Sequence, residues 1–220
     1  MKLTIAQAES KFEDYRKYLR QEAQKLISYM SLYRHLQERK RDRLNEMNIS
    51  PAFFQVTLDS LFSSIVLWVD KLFCEKSEFG FVNFLTFIEY NRNTFSIQEL
   101  KRRNNYSDGH WMIDREEITY DVIEKDREKI RSIEALPSFK LRRDKFYAHF
   151  DSAYLFERHK LEDEAPLVLG DLTKIAEIMN DIINTYSTAY DGNIFLLKPL
   201  NVTDIDRILD FIHKNNKSNC

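Results

Sequence analysis

No glycine or proline interrupts residues 3–49, and across that stretch Phe12, Tyr15, Leu19, Ala23, Leu26, Met30 and Tyr33 recur every three or four positions. An apolar stripe at that period marks one long amphipathic helix, set at about 5–47 within the usual boundary error. The same punctuation reads the rest of the chain. Only four glycines and four prolines occur in 220 residues, and Gly80, Gly109, Gly170 and Gly192 lie between periodic segments. Scarce breakers beside frequent Leu, Ile, Phe, Lys and Glu favour an all-α protein.

Ser50-Pro51 reads as an N-cap followed by a first-turn proline, opening a second helix over about 52–75. That helix carries Phe54, Leu58, Leu61, Phe62, Ile65, Val69 and Leu72. Apolar on most sides, it is expected at the centre. A short third helix covers Phe81–Tyr90. Residues 91–113 are polar and weakly periodic, with a helical turn or two after Ser96. Ser96-x-x-Glu99 and Asp114-x-x-Glu117 read as capping boxes, the second opening a fourth helix to about Ile133. A fifth runs from Pro137 to about Phe150, and the acidic loop LEDEAPLVLG leads to a sixth over Asp171–Tyr190. A last short helix starts at Thr203 and ends near 214. The aromatic series Phe79, Phe81, Phe84, Phe87 and Phe95 reads as core. The expectation is one antiparallel helical bundle over residues 1–220, with short peripheral helices.

The net charge of −2 gives no global basic field, so a nucleic-acid contact would need a local patch. The start, MKLTIAQAESKFEDYRK, lacks the apolar core of a signal peptide. No apolar run is expected to be long enough to span a bilayer. Cys74 and Cys220 have no CxxC spacing, so neither a disulfide framework nor a zinc site is expected, and a reducing cytoplasm is the default. The chain contains no P-loop, G-x-S-x-G, H-E-x-x-H or glycine-rich dinucleotide turn. No cofactor or metal is expected.

Residues 141–151, LRRDKFYAHFD, place arginines, an acid and a histidine in an otherwise apolar helical stretch. Arg143 and His149 fit the pattern arginine, four to six residues, histidine. Histidine moves protons near neutral pH, and arginine binds phosphate through a bidentate fork. Arg103–His110 and Arg207–His213 also fit the spacing. The first lies in an Asn-rich loop and the second near a chain end, so a rigid site is better built at Arg143–His149. On a straight helix at about 100° per residue, Arg142 and His149 lie nearly in line, whereas Arg143 and His149 lie about 120° apart.

RDKFYAHFD resembles the active-site signature of the abortive-infection branch of the HEPN superfamily, small helical domains that often act as metal-independent ribonucleases. SSIVLWVDKLFCEKSEFGFVNFLTFIEY looks like that family's central helix, connection and short third helix, and DLTKIAEIMNDIINTYSTAYDG like its helix after the motif. The resemblance covers about residues 50–192. Phe150 directly after His149 and the polar insertion 91–113 depart from the family pattern. The resemblance implies Arg143 and His149 as catalytic residues, with Asp144 the polar residue beside the arginine. The family pattern selects Arg143, and straight-helix geometry selects Arg142. Arg142, Asp144, Lys145 and Tyr147 are supporting or RNA-binding candidates, Tyr147 also reading as core.

Such chemistry has the ribose 2′-hydroxyl attack phosphorus, with a base and an acid moving protons and positive charge stabilising the transition state. One motif supplies one histidine. Family members pair, so a homodimer with the site at its interface is implied. RNA is then the substrate, and an antitoxin or regulatory protein a candidate partner. The alternative is a non-catalytic helical module that binds RNA, a nucleotide or a partner protein. The runs Arg39–Arg43 and Lys101–Arg103 could track an RNA backbone but read more simply as solvated surface. His35, His159 and Cys74 have no partner at catalytic or metal spacing.

Overall fold

The computed structural model describes residues 3–148 and 151–217. The first helix, α1, begins at a reciprocal cap. The Thr4 hydroxyl accepts from the Gln7 N–H at 3.3 Å, and the Gln7 side chain accepts from the Thr4 N–H at 3.1 Å. α1 then runs over Ile5–Asp42. Phe12, Tyr15, Leu19, Ala23, Leu26 and Met30 are buried along it, as the stripe requires. It ends short of residue 47 because Arg43 leaves helical geometry (φ −130°, ψ 33°). The chain resumes as the single turn α2, Leu44–Met47. The break lets Met47 close a satellite cluster with Leu36, Phe54, Leu58 and Leu61.

Pro51 opens α3, Pro51–Phe73, although the Ser50 side chain makes no capping bond. α3 lies along α1, with Ile65, Val66, Val69 and Leu72 fully buried. Trp68 Nε1 cross-braces the pair by donating to Glu22 at 2.8 Å. By length and composition alone α3 is apolar enough to cross a membrane, with a mean hydropathy of 1.5. This corrects the expectation that no run reaches that length. The reason is that Gln55, Thr57, Asp59 and the serines are too few to lower the average of a helix rich in Phe, Leu, Ile and Val. Phe53, Val56 and Leu67 stay exposed on it.

Gly80 leads into α4, Phe81–Tyr90, as expected. A Cβ on Gly80 would sit 2.9 Å from the Leu72 carbonyl oxygen, so the turn hugs the end of α3 only with glycine there. The aromatic series is core. Phe12 meets Phe95 edge-on at 4.9 Å and Tyr190 at 4.6 Å. Ser96 caps α5, Ile97–Asn104, but Glu99 pairs with Arg102 at 2.6 Å instead of completing the box.

The fourth expected helix starts later. α6 covers Tyr120–Arg131 under a Thr119 cap. Asp114 instead ends a short 3-10 turn, Trp111–Ile113. Arg115 holds the intervening stretch extended by donating to the carbonyls of Phe95 (2.7 Å) and Ala189 (2.9 Å). Glu117, free of any cap, reaches the Ile97 N–H at 3.4 Å.

α7, Leu136–Arg142, packs on α3. A short helix α8, Ser152–Phe156, follows the motif, and the acidic stretch LEDEAPLVLG, read as a loop, begins inside a further helix, α9, Arg158–Glu164. α10, Leu169–Asp191, lies along α1 and buries Ile175, Met179, Ile182 and Tyr186. Gly170 falls inside its first turn rather than at a break. Asp171 closes that turn by accepting from the Val168 N–H at 3.0 Å. After Gly192 the chain returns as an extended strap. Asn184 bonds both the N–H (2.7 Å) and the carbonyl (2.8 Å) of Phe195. Arg20 covers the Phe195 ring at 3.5 Å. The strap delivers α11, Asp204–Lys217, to the α1–α2 corner. The described residues are helices and connections, an all-α fold.

Candidate functional site

Phe139, 1% exposed, anchors α7 against the core. Beyond Arg142 the helix widens. Residues Arg143–Tyr147 form a π turn, in which the Ala148 N–H reaches the Arg143 carbonyl at 2.8 Å, five residues back. Such turns are rare and frequently mark functional sites. A count of 100° per residue therefore does not apply across the motif, and the in-line argument for Arg142 loses its premise.

The two arginines occupy different environments. Arg142 is 8% exposed. Its Nε donates to the Ala165 carbonyl at 2.7 Å and its Nη2 to the Leu161 carbonyl at 3.1 Å. Burial lowers its pKa, though a guanidinium stays charged. Its place is structural, tying the motif helix to the end of α9.

Arg143 is three-quarters covered and sits between two acids. It forms an ion pair with Asp70 of α3, and its Nε donates to Asp144 at 2.8 Å. Burial pulls its pKa down, but the Asp144 hydrogen bond and the Asp70 charge outweigh that and hold it above the ordinary value. Lys145 turns away to Asp151 at 2.9 Å. Tyr147 packs edge-on against Phe62 at 6.3 Å. Burial raises its hydroxyl pKa, against the pull of Arg142 and a hydrogen bond with Ser63. Beside it a cavity of about 370 Å³ is lined by Asp59, Ser63, Arg142, Phe146, Tyr147 and Glu162 among others. His149, the other catalytic candidate, lies outside the described residues.

Asp70 was missed from sequence. Its signal was there: an acid inside the apolar run VLWVDKLF implies a paired charge, because such a group is rarely buried alone. The competing arginine–histidine pairs are scaffold. Arg103 donates to the carbonyls of Tyr190 (2.9 Å) and Thr94 (2.7 Å) and pairs with Glu9. His110 stacks on Tyr106 at 3.9 Å. His213 binds Glu46 at 2.6 Å. His35, given no role from sequence, contacts Asp206 at 3.1 Å. Among the described residues no three His, Cys, Asp or Glu side chains converge in a metal-binding group.

The structure thus places the motif's Arg143 on a π turn, partly covered, doubly paired and tied to the central helix by an acid. The HEPN_AbiU2 family model, described as AbiU2, matches residues 9–211. The match is wider than the 50–192 span of the motif-based likeness and takes in α1. No curated protein and no solved structure matches the chain. The chain belongs to the HEPN AbiU2 family, in the abortive-infection branch of the HEPN superfamily.

Proposed function

We propose that this protein is a metal-independent endoribonuclease that acts in the cytoplasm as a toxin or anti-phage effector. The observation that carries the reading is the fixed orientation of Arg143, held by Asp70 on the central helix, in a chain of this family. Asp144, 42% exposed, is the partner a substrate phosphate would displace, while the more buried Asp70 keeps the guanidinium aimed. The ribose 2′-oxygen attacks phosphorus and gives its proton to a base; the P–O5′ bond breaks and an acid protonates the leaving oxygen. The products are a 2′,3′-cyclic phosphate and a 5′-hydroxyl. His149 supplies one proton-transfer group, and His149 of a second copy the other.

A homodimer fits the α3 surface. At about 100° per residue, Phe53, Val56, Ser60, Ser64 and Leu67 fall within about 80° of one another. Phe53 and Val56 are more than half exposed. Asp70 lies one turn beyond Leu67, so a second copy on this face brings the two motifs near a shared axis.

The test is cleavage of single-stranded RNA in EDTA, read by the chemistry of the new ends. His149→Ala should lose about 10²–10⁴-fold and Arg143→Ala a similar factor. Full cleavage by His149→Ala, or a requirement for magnesium, would sink the proposal. A second reading, a binding module without catalysis, is favoured by one observation: two carboxylates already neutralise Arg143. Tight RNA binding without cleavage would select it.

A further inference from the structure

We infer that the cavity between the end of α3 and the start of α7 binds a small monocarboxylate with an apolar body, a medium-chain fatty acid or an arylalkanoic acid. It encloses about 430 Å³, inside the range of small-ligand sites of about 300–1,000 Å³. Phe73 and Phe139, both buried, and the half-buried Leu136 supply its apolar wall. Glu75, Lys76 and Lys140 line it as well, and all three are exposed, so the charge gathers at the mouth.

That charge selects the ligand. Among the described residues neither Lys76 nor Lys140 enters an ion pair, and neither does Glu75. Asp70 also lines the cavity, but its carboxylate is taken by Arg143. Two unpaired ammonium groups against one unpaired carboxylate leave a single positive charge, which one carboxylate on the ligand balances. The helix dipole accounts for Lys140, in the last turn of α7. It does not account for Lys76, which lies past the end of α3, nor for the meeting of both at the mouth of an apolar cavity.

The cavity touches the support of the motif. The Cys74 N–H donates to the Asp70 carbonyl at 2.7 Å, and Cys74 forms part of the wall. An occupant therefore lies against the last turn of α3, the turn that carries the acid holding Arg143. Cys74 itself serves only as a reporter: its thiol is half-buried in the wall, so a ligand in the cavity shields it. The inference goes beyond the cleavage reading and does not need it.

The test uses the full chain carrying Cys220→Ser, which leaves Cys74 as its single thiol. Octanoate and 3-phenylpropionate are titrated calorimetrically, with octanol and octylamine as the neutral and cationic counterparts of the first. The better of the two acids should bind with a Kd below about 1 mM, and octanol and octylamine at least about tenfold more weakly. At about ten times its Kd, that acid should slow alkylation of Cys74 by N-ethylmaleimide about tenfold. Lys76→Glu combined with Lys140→Glu should reverse the preference, losing the acid and gaining octylamine. The melting temperature should not change, because both lysines are exposed and unpaired. The inference is overturned if neither acid binds, if octanol binds as tightly as the better acid, if the bound acid leaves alkylation of Cys74 unchanged, or if the charge-reversed chain binds the acid like the parent. Loss of RNA cleavage in the wild-type chain would leave these binding results standing, so the two readings fail separately.

Discussion

Asp70 on α3 and Arg143 on the π turn form an ion pair that fastens the motif to the central helix, with Asp70 only 11% exposed. Asp70 touches nothing beyond the arginine that the proposed chemistry needs, so its role is to position. Asp70→Asn should therefore lower the turnover of RNA cleavage by about tenfold while leaving KM little changed. It should cost about 1 kcal/mol in urea unfolding, the scale of a partly covered ion pair. Asp70→Glu should recover part of the rate. An unchanged turnover for Asp70→Asn would show that Asp144 alone orients Arg143.

Arg142 makes the opposite prediction. Its guanidinium is buried on two carbonyl oxygens. Arg142→Ala should destabilise the fold by about 2–4 kcal/mol, the cost of stripping partners from buried polar groups. Arg142→Lys should restore little, because a single ammonium cannot span both acceptors. Chemical denaturation separates this from Arg143→Ala, which should keep most of the stability and lose the activity.

The C-terminal helix should come loose in acid. Asp206 is held below the usual carboxylate range by the Arg39 hydrogen bond, opposed by burial and helped by His35. Glu46 is lowered by a backbone hydrogen bond and by His213. A carboxylate whose folded pKa is depressed gives stability present above its unfolded value and lost as pH falls through the folded value. Hydrogen exchange should show α11 opening before the bundle as pH drops from 6 to 3. Asp206→Asn should open it already at neutral pH. If α11 and α10 lost protection together, the charged clasp would not be what holds the helix.

Light scattering should find a dimer at micromolar concentration. Val56→Arg with Leu67→Arg, placed on the exposed face of α3, should give monomers with unchanged helical content and no cleavage. Monomeric wild-type protein would remove the two-copy site from the proposal.

The helices were legible where one physical cause governs them. The α1 stripe and α4 follow from period and glycine placement alone. The start of α6 was not, because Asp114-x-x-Glu117 and Thr119 are both sound caps. The choice between them is made by Arg115, whose carbonyl acceptors at Phe95 and Ala189 are distant in sequence. The same limit hid the site. RRDKFYAHFD names two adjacent arginines and says nothing of depth, whereas the α9 carbonyls bury Arg142 and Asp70 claims Arg143. Asp70 could have been suspected from the cost of an acid in an apolar helix, but its partner required the fold.

The π turn has a consequence for how such a motif can vary. A turn closed five residues apart is a helix that has absorbed one additional residue without shifting the chain on either side. Across such a turn, a count of residues is a length of slack rather than an angle. A motif whose spacing ranges from four to six residues needs a place where that range can be taken up, and a bulge at Arg143–Tyr147 provides it while Phe139 and Arg142 keep the approach to the site fixed.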